Sequence, residues 1–260
     1  MSAAASCLEI RGLTKHFYGV TALEDYGLDL PQGEILGLIG PNGAGKTTIF
    51  NLITGVYRPS AGQVQLFGRD VTGLRPERIA QLGVARTFQN IRLFRQLTVL
   101  DNVRCALHLE RRYTLLEALA ALPRFAREER HMVERALALL EFLGIAHLAL
   151  EPAGDLSYGD QRRLEVARAL AMGPKILLLD EPTAGMSPLE SAQAVELFRK
   201  VRDQFGLTLV LIEHHMQVVM GLCERLQVLN YGRLIAEGRP EDIRVNPEVV
   251  EAYLGKDLDA

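Results

Sequence analysis

The chain has 260 residues, of which 48% are hydrophobic and 23% are charged, and its formal net charge is −3. This composition is typical of a folded globular protein and excludes a largely disordered chain. The near-neutral charge argues against a protein that follows a nucleic-acid backbone through a basic face, so no nucleic-acid partner is expected.

The N-terminal residues and the cysteines indicate a reduced, intracellular protein. Residues 1–6 lack the basic stretch and the apolar core of a secretory signal. Cys7, Cys105 and Cys223 do not have the spacing of a metal site. No stretch approaches the ~18–20 consecutive apolar residues that cross a bilayer, so we expect a chain that does not span a membrane by itself.

The first third of the chain is predicted to form short strands. Runs typical of strands cover residues 8–10, 27–30, 34–39 and 62–67, with turn signals between them. This pattern predicts a small antiparallel layer beside the strand at residues 34–39.

A phosphate-binding loop follows that strand directly. Its spacing is G-x-x-x-x-G-K-[ST], followed by a second threonine. Backbone N–H groups of such a loop curl around a phosphate chain, and the helix beginning near Thr47 directs its positive end at the anion. Lys46 can reach the β and γ phosphates, and the Thr47 hydroxyl can bind magnesium. The predicted nucleotide-binding residues here are Gly40, Pro41, Asn42, Gly43, Ala44, Gly45, Lys46, Thr47 and Thr48.

Helical periodicity replaces the strand pattern from about residue 97 to residue 150. Apolar residues recur at Val133, Leu137, Leu140 and Leu143, and Pro123 is expected to separate the helices. Basic and acidic residues alternate along this segment, which favours a solvated helix surface over a phosphate-binding patch. These charged residues are Glu110, Arg111, Arg112, Glu117, Arg124, Arg127, Glu128, Glu129 and Arg130.

Strands and helices alternate again after residue 152. Strands are predicted at residues 176–179, 208–212 and 226–229, and helices at 158–172, 188–204 and 216–223. Apolar strands that alternate with helices predict a parallel sheet covered on both faces.

Two carboxylates end the strand at residues 176–179. The C-terminal ends of strands are where ligands bind in open α/β sheets. We expect Asp180 to hold magnesium directly or through water, and Glu181 to orient the attacking water.

The segment before this strand carries the most specific motif. Leu156-Ser157-Tyr158-Gly159-Asp160-Gln161 precedes a helix that Ser157 is expected to cap. This motif resembles the Leu-Ser-Gly-Gly-Gln signature of ATP-binding cassette (ABC) ATPases, and the resemblance extends over residues 8–254.

The resemblance implies an α/β fold, a P-loop NTPase cassette with a RecA-like, mainly parallel sheet core, an N-terminal antiparallel β layer and an inserted α-helical subdomain. Residues 1–260 would form one nucleotide-binding domain. Within it, the insertion would cover about residues 90–160, and a C-terminal helical tail would cover about residues 240–260.

Further site residues follow from the resemblance alone. Phe17, or alternatively Tyr18, resembles the aromatic residue on which adenine stacks. Gln89 resembles the glutamine that touches magnesium and the attacking water. His214 resembles the switch histidine that contacts the γ-phosphate, while His215 stands where an acid is usual.

In such cassettes, the signature serine and glycine, here Ser157 and Gly159, face the ATP of a second subunit. Tyr158 and Asp160 depart from the usual signature, and Ser187 lies in another divergent stretch; their roles stay open. The sequence around residues 161–165 and 246–255 looks most like the ATPase subunits of branched-chain amino-acid importers.

The resemblance implies an ATPase that uses ATP and Mg²⁺ and lies peripherally on the cytoplasmic face of the inner (plasma) membrane. Its partners would be a second ABC ATPase subunit, identical or sister, integral-membrane permease subunits that contact the region of Ile91, Leu93 and Phe94, and indirectly a periplasmic or extracellular substrate-binding protein. Lipopolysaccharide-type export, urea uptake, a soluble ABC ATPase and a scaffold that binds ATP without turnover are the alternatives.

Overall fold

The computed structural model describes residues 6–108 and 123–254, which separate into two compact units. The first unit contains the described residues up to Gln89 and those from Lys175 onward, and the second contains Asn90–Pro174. Some residues of the sequence predictions lie outside the described ranges: residues 255–260 of the tail, and Glu110, Arg111, Arg112 and Glu117 of the insertion.

The elements are numbered in chain order. The strands are β1 (Ser6–Phe17), β2 (Val20–Pro31), β3 (Ile35–Ile39), β4 (Ala61–Leu66), β5 (Arg69–Asp70), β6 (Val84–Arg86), β7 (Ile176–Asp180), β8 (Thr208–Ile212), β9 (Arg225–Asn230) and β10 (Arg233–Gly238). The helices are α1 (Lys46–Ile53), α2 (Pro76–Gln81), α3 (Val99–Leu107), α4 (Pro123–Phe142), α5 (Tyr158–Ala171), α6 (Pro188–Phe205), α7 (Met216–Leu222), α8 (Pro240–Arg244) and α9 (Pro247–Leu254).

The larger sheet of the first unit has the strand order β10-β9-β3-β8-β7-β6. Every neighbouring pair is parallel except β10 and β9, which are antiparallel. Each residue of β3, β7 and β8 is buried, as expected for apolar strands covered on both faces. The prediction of a mainly parallel core sheet is confirmed.

The smaller sheet is antiparallel, with the order β2-β1-β4-β5, and confirms the predicted N-terminal layer. Its first two strands are longer than the runs at residues 8–10 and 27–30 because both continue to a tight hairpin. Tyr18 and Gly19 form this turn with φ angles of 44° and 89°, the positive values that a two-residue hairpin turn uses. One hydrophobic cluster contains Leu8 of this sheet, Leu36 of the larger sheet and Phe50 of α1.

The second unit is helical among its described residues. Helix α5 packs against α3 and α4, and the chain before α5 returns to the start of α3 through a bridge between Thr98 and Pro152. This packing explains why the unit extends to Pro174, past the end predicted for the insertion at about residue 160.

The buried face of α4 agrees with the prediction in part: Leu140, and Leu143 just after the helix, are buried as predicted, whereas Val133 is half-buried. Met132, Ala136 and Leu140 are buried, whereas Leu137 is 38% exposed. The apolar residues of this helix are too numerous to define one stripe, and the face that packs starts one residue earlier than Val133.

Candidate active site

The parallel strands of the larger sheet end at one edge, and each carries predicted site residues there. The register pairs Leu38 of β3 and Asp180 of β7 with the same residue of β8, Ile212. The residues that follow these strands therefore lie side by side. They are the phosphate loop after β3, Glu213 and His214 after β8, Glu181 after β7, and Thr87 to Gln89 after β6.

The phosphate loop depends on glycine for two reasons. Gly40 has φ +143°, and a Cβ atom there would lie 2.1 Å from the carbonyl oxygen of Leu229. Gly45 has φ +102°, and its Cβ would lie 2.8 Å from the carbonyl oxygen of Ala22. Close backbone approach within the chain thus requires glycine at both positions, in addition to the access for phosphate that the sequence predicts.

Lys46 is the first residue of α1, and its side chain turns back over the loop. Its Nζ donates to the carbonyl oxygens of Gly40 at 2.6 Å and Pro41 at 3.0 Å, in a buried position. Thr47 is exposed at the start of the same helix, and Thr48 is half-buried. The loop therefore presents a buried cation, an exposed hydroxyl and a helix N-terminus, a combination that binds phosphate.

The other residues of the loop differ in exposure: Asn42 and Gly43 are exposed, whereas Ala44 is buried.

The C-terminal helix α9 also contacts the loop. Burial raises the pKa of the Tyr253 hydroxyl, while a hydrogen bond with the Gly40 backbone acts in the opposite direction. No local pattern in the sequence indicates this contact, because Tyr253 is distant from the loop along the chain.

Glu181 is the centre of a polar triad. Its Oε1 lies 2.9 Å from Nε2 of His214, and its Oε2 accepts from Nε2 of Gln89 at 2.8 Å. The structure thus brings together three predicted site residues that follow three different strands. Glu181 has a φ angle of +47°, an uncommon backbone conformation for a residue other than glycine.

Asp180 is buried and paired with a residue that the sequence analysis missed. Its Oδ2 accepts from Arg86 at 2.7 Å, and the side chains are 7% (Arg86) and 5% (Asp180) exposed. Arg86 also donates to Oδ1 of Asn51 in α1, at 2.7 Å. Arg86 therefore links Asp180 to the helix that follows the phosphate loop.

Glu213 and Thr183 are two further polar residues that the sequence analysis missed. Glu213 directly precedes His214, Thr183 follows Glu181 by two residues, and both side chains are buried. Oε1 of Glu213 accepts from both the backbone and the hydroxyl of Thr183. Only their position beside known motifs could have drawn attention to them.

The two candidate adenine-stacking residues lie at the β1–β2 turn. The Phe17 ring packs edge-on against Tyr57, with centroids 5.1 Å apart, and Nζ of Lys15 lies 4.8 Å from the Phe17 centroid. Tyr18 is fully exposed. The Phe17 ring is half-buried.

Ser157 caps helix α5 in the second unit, as predicted. Its Oγ accepts from the backbone N–H of Asp160 at 3.2 Å and donates to the Asp160 carboxylate at 2.7 Å. Gly159 lies in the first turn, where a Cβ would meet no atom within 4 Å. The Tyr158 hydroxyl accepts from the buried Arg162 at 3.0 Å. Asp160 and Tyr158 thus have local structural partners.

Ser187 caps α6 in a capping box with Glu190. The Ser187 backbone donates to the Glu190 carboxylate at 2.8 Å, and the Glu190 backbone donates to Ser187 Oγ at 3.3 Å.

The region predicted to contact the permease is partly exposed. Phe94 is 52% exposed, and Arg168 lies over its ring. Ile91 and Leu93 are half-buried.

Within residues 6–108 and 123–254, no helix combines the length and hydropathy needed to cross a membrane. The same residues contain no group of three or more His, Cys, Asp or Glu side chains arranged to hold a metal ion.

Known proteins resemble this chain over nearly its whole length. The profile of the family described as "ABC transporter" matches residues 23–184, and that of "Branched-chain amino acid ATP-binding cassette transporter" matches residues 233–259. The high-affinity branched-chain amino acid transport ATP-binding protein LivG of Salmonella typhimurium is 45% identical over 96% of this chain and 98% of its own. BraF of Pseudomonas aeruginosa, with the same description, is 43% identical over the same shares.

Solved structures show the same fold. The ADP conformation of MJ1267, an ATP-binding cassette of an ABC transporter, superposes with a TM-score of 0.84 and 33% identity over 96% of this chain and 99% of its own. A dimer of the ATP-binding cassette MJ0796 bound to ADP and Pi superposes with a TM-score of 0.76 and 26% identity, over 90% of this chain and 98% of its own.

Proposed function

The chain belongs to the ABC transporter family of ATP-binding cassettes, and we propose that it is the ATP-hydrolysing subunit that powers an importer of branched-chain amino acids. Two findings support this substrate class. The C-terminal residues 233–259 match the branched-chain cassette profile, and LivG and BraF resemble the chain over nearly its whole length.

The observation that carries the hydrolytic assignment is the position of Glu181. Its carboxylate lies between Gln89 and His214, within 2.9 Å of both side chains, at the sheet edge where the phosphate loop begins. A carboxylate held in this way can accept the hydrogen bond of an attacking water and orient it toward a γ-phosphate.

The phosphate chain is bound by the loop residues and the start of α1. The Lys46 ammonium donates to two carbonyl oxygens of the loop. A phosphate oxygen bound in the loop can replace these acceptors without a large movement of the lysine side chain. The N–H groups at the start of α1 add positive potential. Phe17 or Tyr18 stacks on adenine, which selects for a flat base.

Magnesium is expected at Thr47 and Asp180, with Gln89 as a further contact. The exposed Thr47 hydroxyl and the buried Asp180 carboxylate suit a hard cation that prefers oxygen ligands. Because Arg86 occupies Oδ2 of Asp180, the carboxylate can offer Oδ1 to the cation or to its water. Bound magnesium neutralises charge that develops on the phosphates.

Gln89 and His214 have a second role in this scheme. Both contact Glu181 here, and a γ-phosphate beside Glu181 offers their N–H groups a negatively charged acceptor. His214 would then contact the γ-phosphate, and Gln89 the magnesium ion and the attacking water. Gln89 and His214 would thus change hydrogen-bond partners when ATP binds and again when its γ-phosphate is released.

A second cassette is needed to close the outer side of the γ-phosphate. We propose that Ser157 and Gly159 of one subunit face the ATP held by Lys46 of another, which is an identical copy or a sister subunit. The dimeric structure of MJ0796 with ADP and Pi supports pairing of such cassettes. ATP between the subunits favours the closed pair, and hydrolysis removes that contact.

The closing motion is passed to integral-membrane permease subunits on the cytoplasmic face of the membrane, through the region of Ile91, Leu93 and Phe94. A periplasmic or extracellular binding protein would deliver the substrate to those permeases. The selectivity for the transported amino acid resides in these partners.

The substitution Glu181→Gln tests the catalytic assignment. It keeps the shape of the side chain but removes the charge that orients the water, so we expect MgATP affinity within about threefold of wild type and phosphate release at least about a hundredfold slower. Equilibrium binding of a fluorescent ATP analogue and a phosphate-release assay measure the two quantities.

Two variants control this test. Lys46→Ala should lose MgATP binding, whereas Glu196→Gln, at an exposed glutamate of α6, should behave as wild type. Phosphate release by Glu181→Gln at the rate of wild type would show that another group activates the water.

A further inference from the structure

Glu213 is a buried carboxylate that contacts two loops of the active site. It lies directly after β8 and is 2% exposed. Oε1 accepts from the Thr183 backbone N–H at 3.0 Å and from the Thr183 hydroxyl. Oε2 accepts from the backbone N–H groups of His214 at 2.9 Å and His215 at 3.3 Å. Both oxygens are thus used, and they bond to different segments of the chain.

The two loops that Glu213 joins each carry a catalytic side chain. Thr183 follows Glu181 by two residues, and His214 follows Glu213 directly. The backbone N–H of Glu181 is also bonded to the carbonyl of Ile212, at 2.9 Å. The distance of 2.9 Å between His214 Nε2 and Glu181 Oε1 therefore depends on how these two loops are held together.

Glu213, Thr183 and His215 form a polar cluster in which His215 lies on the solvent side. Its Nδ1 lies 3.2 Å from the Thr183 hydroxyl and 3.6 Å from Oε2 of Glu213, with the ring about half exposed. The buried members of the cluster are therefore Glu213 and Thr183. A buried charge that accepts several hydrogen bonds is costly to disturb, because each donor would lose its partner in a dry environment.

We propose that Glu213 is a positioning residue for ATP hydrolysis. It holds the loop that carries Glu181 and the loop that carries His214 in the relative position that catalysis requires. This inference rests on the proposed function of Glu181 and His214. Glu213 acts through the backbone of its neighbours rather than by touching the nucleotide. Because reaction rates depend steeply on placement, a small shift of either loop lowers turnover far more than it lowers nucleotide binding.

Glu213→Gln is the first test. An amide can accept on one side only, so its NH₂ group must face the donors of Thr183 or those of His214 and His215. We expect kcat to fall about ten- to a hundredfold while the MgATP dissociation constant changes less than about threefold. Thr183→Val removes the hydroxyl but keeps the shape and the backbone donor, and its kcat should fall by a smaller factor.

The double variant tests whether the two residues act through one contact. Because Thr183 and Glu213 bond directly, the loss in Glu213→Gln/Thr183→Val should be smaller than the product of the single losses. Independent, multiplying effects on kcat would contradict a shared role.

Glu34→Gln is the matched control. Glu34 is a largely buried carboxylate bonded to Arg225 at 2.7 and 2.8 Å, and it precedes β3 at the opposite edge of the same sheet. Its substitution should lower the thermal midpoint but leave kcat and the MgATP dissociation constant unchanged. All assays are run well below the lowest midpoint, on folded protein.

Wild-type kcat in Glu213→Gln would overturn the proposal. If Glu213→Gln does not fold, Thr183→Val decides the question, and wild-type kcat in that variant overturns it as well. An equal loss of kcat in Glu34→Gln would show a general effect of stability and also contradict the proposal. A wild-type chain without ATPase activity would overturn this inference and the proposed function together.

Discussion

At the residue scale, Glu181 combines an uncommon backbone conformation with a position in the candidate active site. A φ angle of +47° costs a non-glycine residue on the order of 1–2 kcal/mol. Such strain persists only where the surrounding structure enforces it, and it is common at active sites. Here the backbone bond to Ile212 and the Thr183–Glu213 contact enforce it, and the result is a carboxylate between Gln89 and His214.

The buried pair of Arg86 and Asp180 leads to a prediction about stability. Removing one partner of a buried ion pair leaves an uncompensated charge, so Arg86→Met should lower the free energy of unfolding by about 3–5 kcal/mol. Arg233→Met is the control, because Arg233 and Glu24 are 67% and 46% exposed and such pairs contribute about 0–1 kcal/mol. Chemical denaturation measures both, and equal losses would contradict the structural role of Arg86.

The sequence predicts the motifs residue by residue, but it does not predict the contacts that support them. Gly40 to Thr48, Asp180 and Glu181 are recognisable because phosphate chemistry fixes their order along a short segment. Arg86 and Thr183 meet their partners across 94 and 30 residues respectively. No local pattern encodes such pairs, since they arise only when neighbouring strands of the sheet align.

At the element scale, the buried strands and the long helices were predicted best. From β7 to β9, each element begins and ends within one residue of its predicted bounds, because an apolar run bounded by turn residues defines a strand buried on both faces. Strands β1 and β2 were underestimated because polar residues of the exposed face interrupt the apolar pattern. The short elements α2, β6 and β10 were missed because a few residues show no periodicity.

The phosphate loop provides a prediction at this scale. In Gly40→Ala, the new methyl group would collide with the Leu229 carbonyl, so the free energy of unfolding should fall about 1–3 kcal/mol more than in Gly43→Ala. Gly43 has φ +80°, and a methyl group added there would have no atom within 4 Å, so its substitution adds backbone strain alone. Denaturation without nucleotide compares them, and equal losses would contradict close packing as the reason for Gly40.

At the scale of the whole molecule, the parts of the proposed reaction lie in two compact units. The phosphate loop, Glu181 and His214 belong to the first unit, and Ser157 and Gly159 belong to the second. Because one chain contains both the ATP-binding residues and the signature residues, we propose that two cassettes complete each other's ATP sites. ATP would then join the two chains, and hydrolysis by Glu181 would end this association.

The most direct measurement is the molar mass of Glu181→Gln, determined by light scattering after size exclusion, with and without MgATP. We expect a monomer without nucleotide and a dimer with MgATP, because the trapped nucleotide contacts both chains. The double variant Glu181→Gln/Lys46→Ala should remain a monomer in both conditions. A monomer of Glu181→Gln at saturating MgATP, with nucleotide bound, would contradict the proposal that ATP joins two copies of this chain.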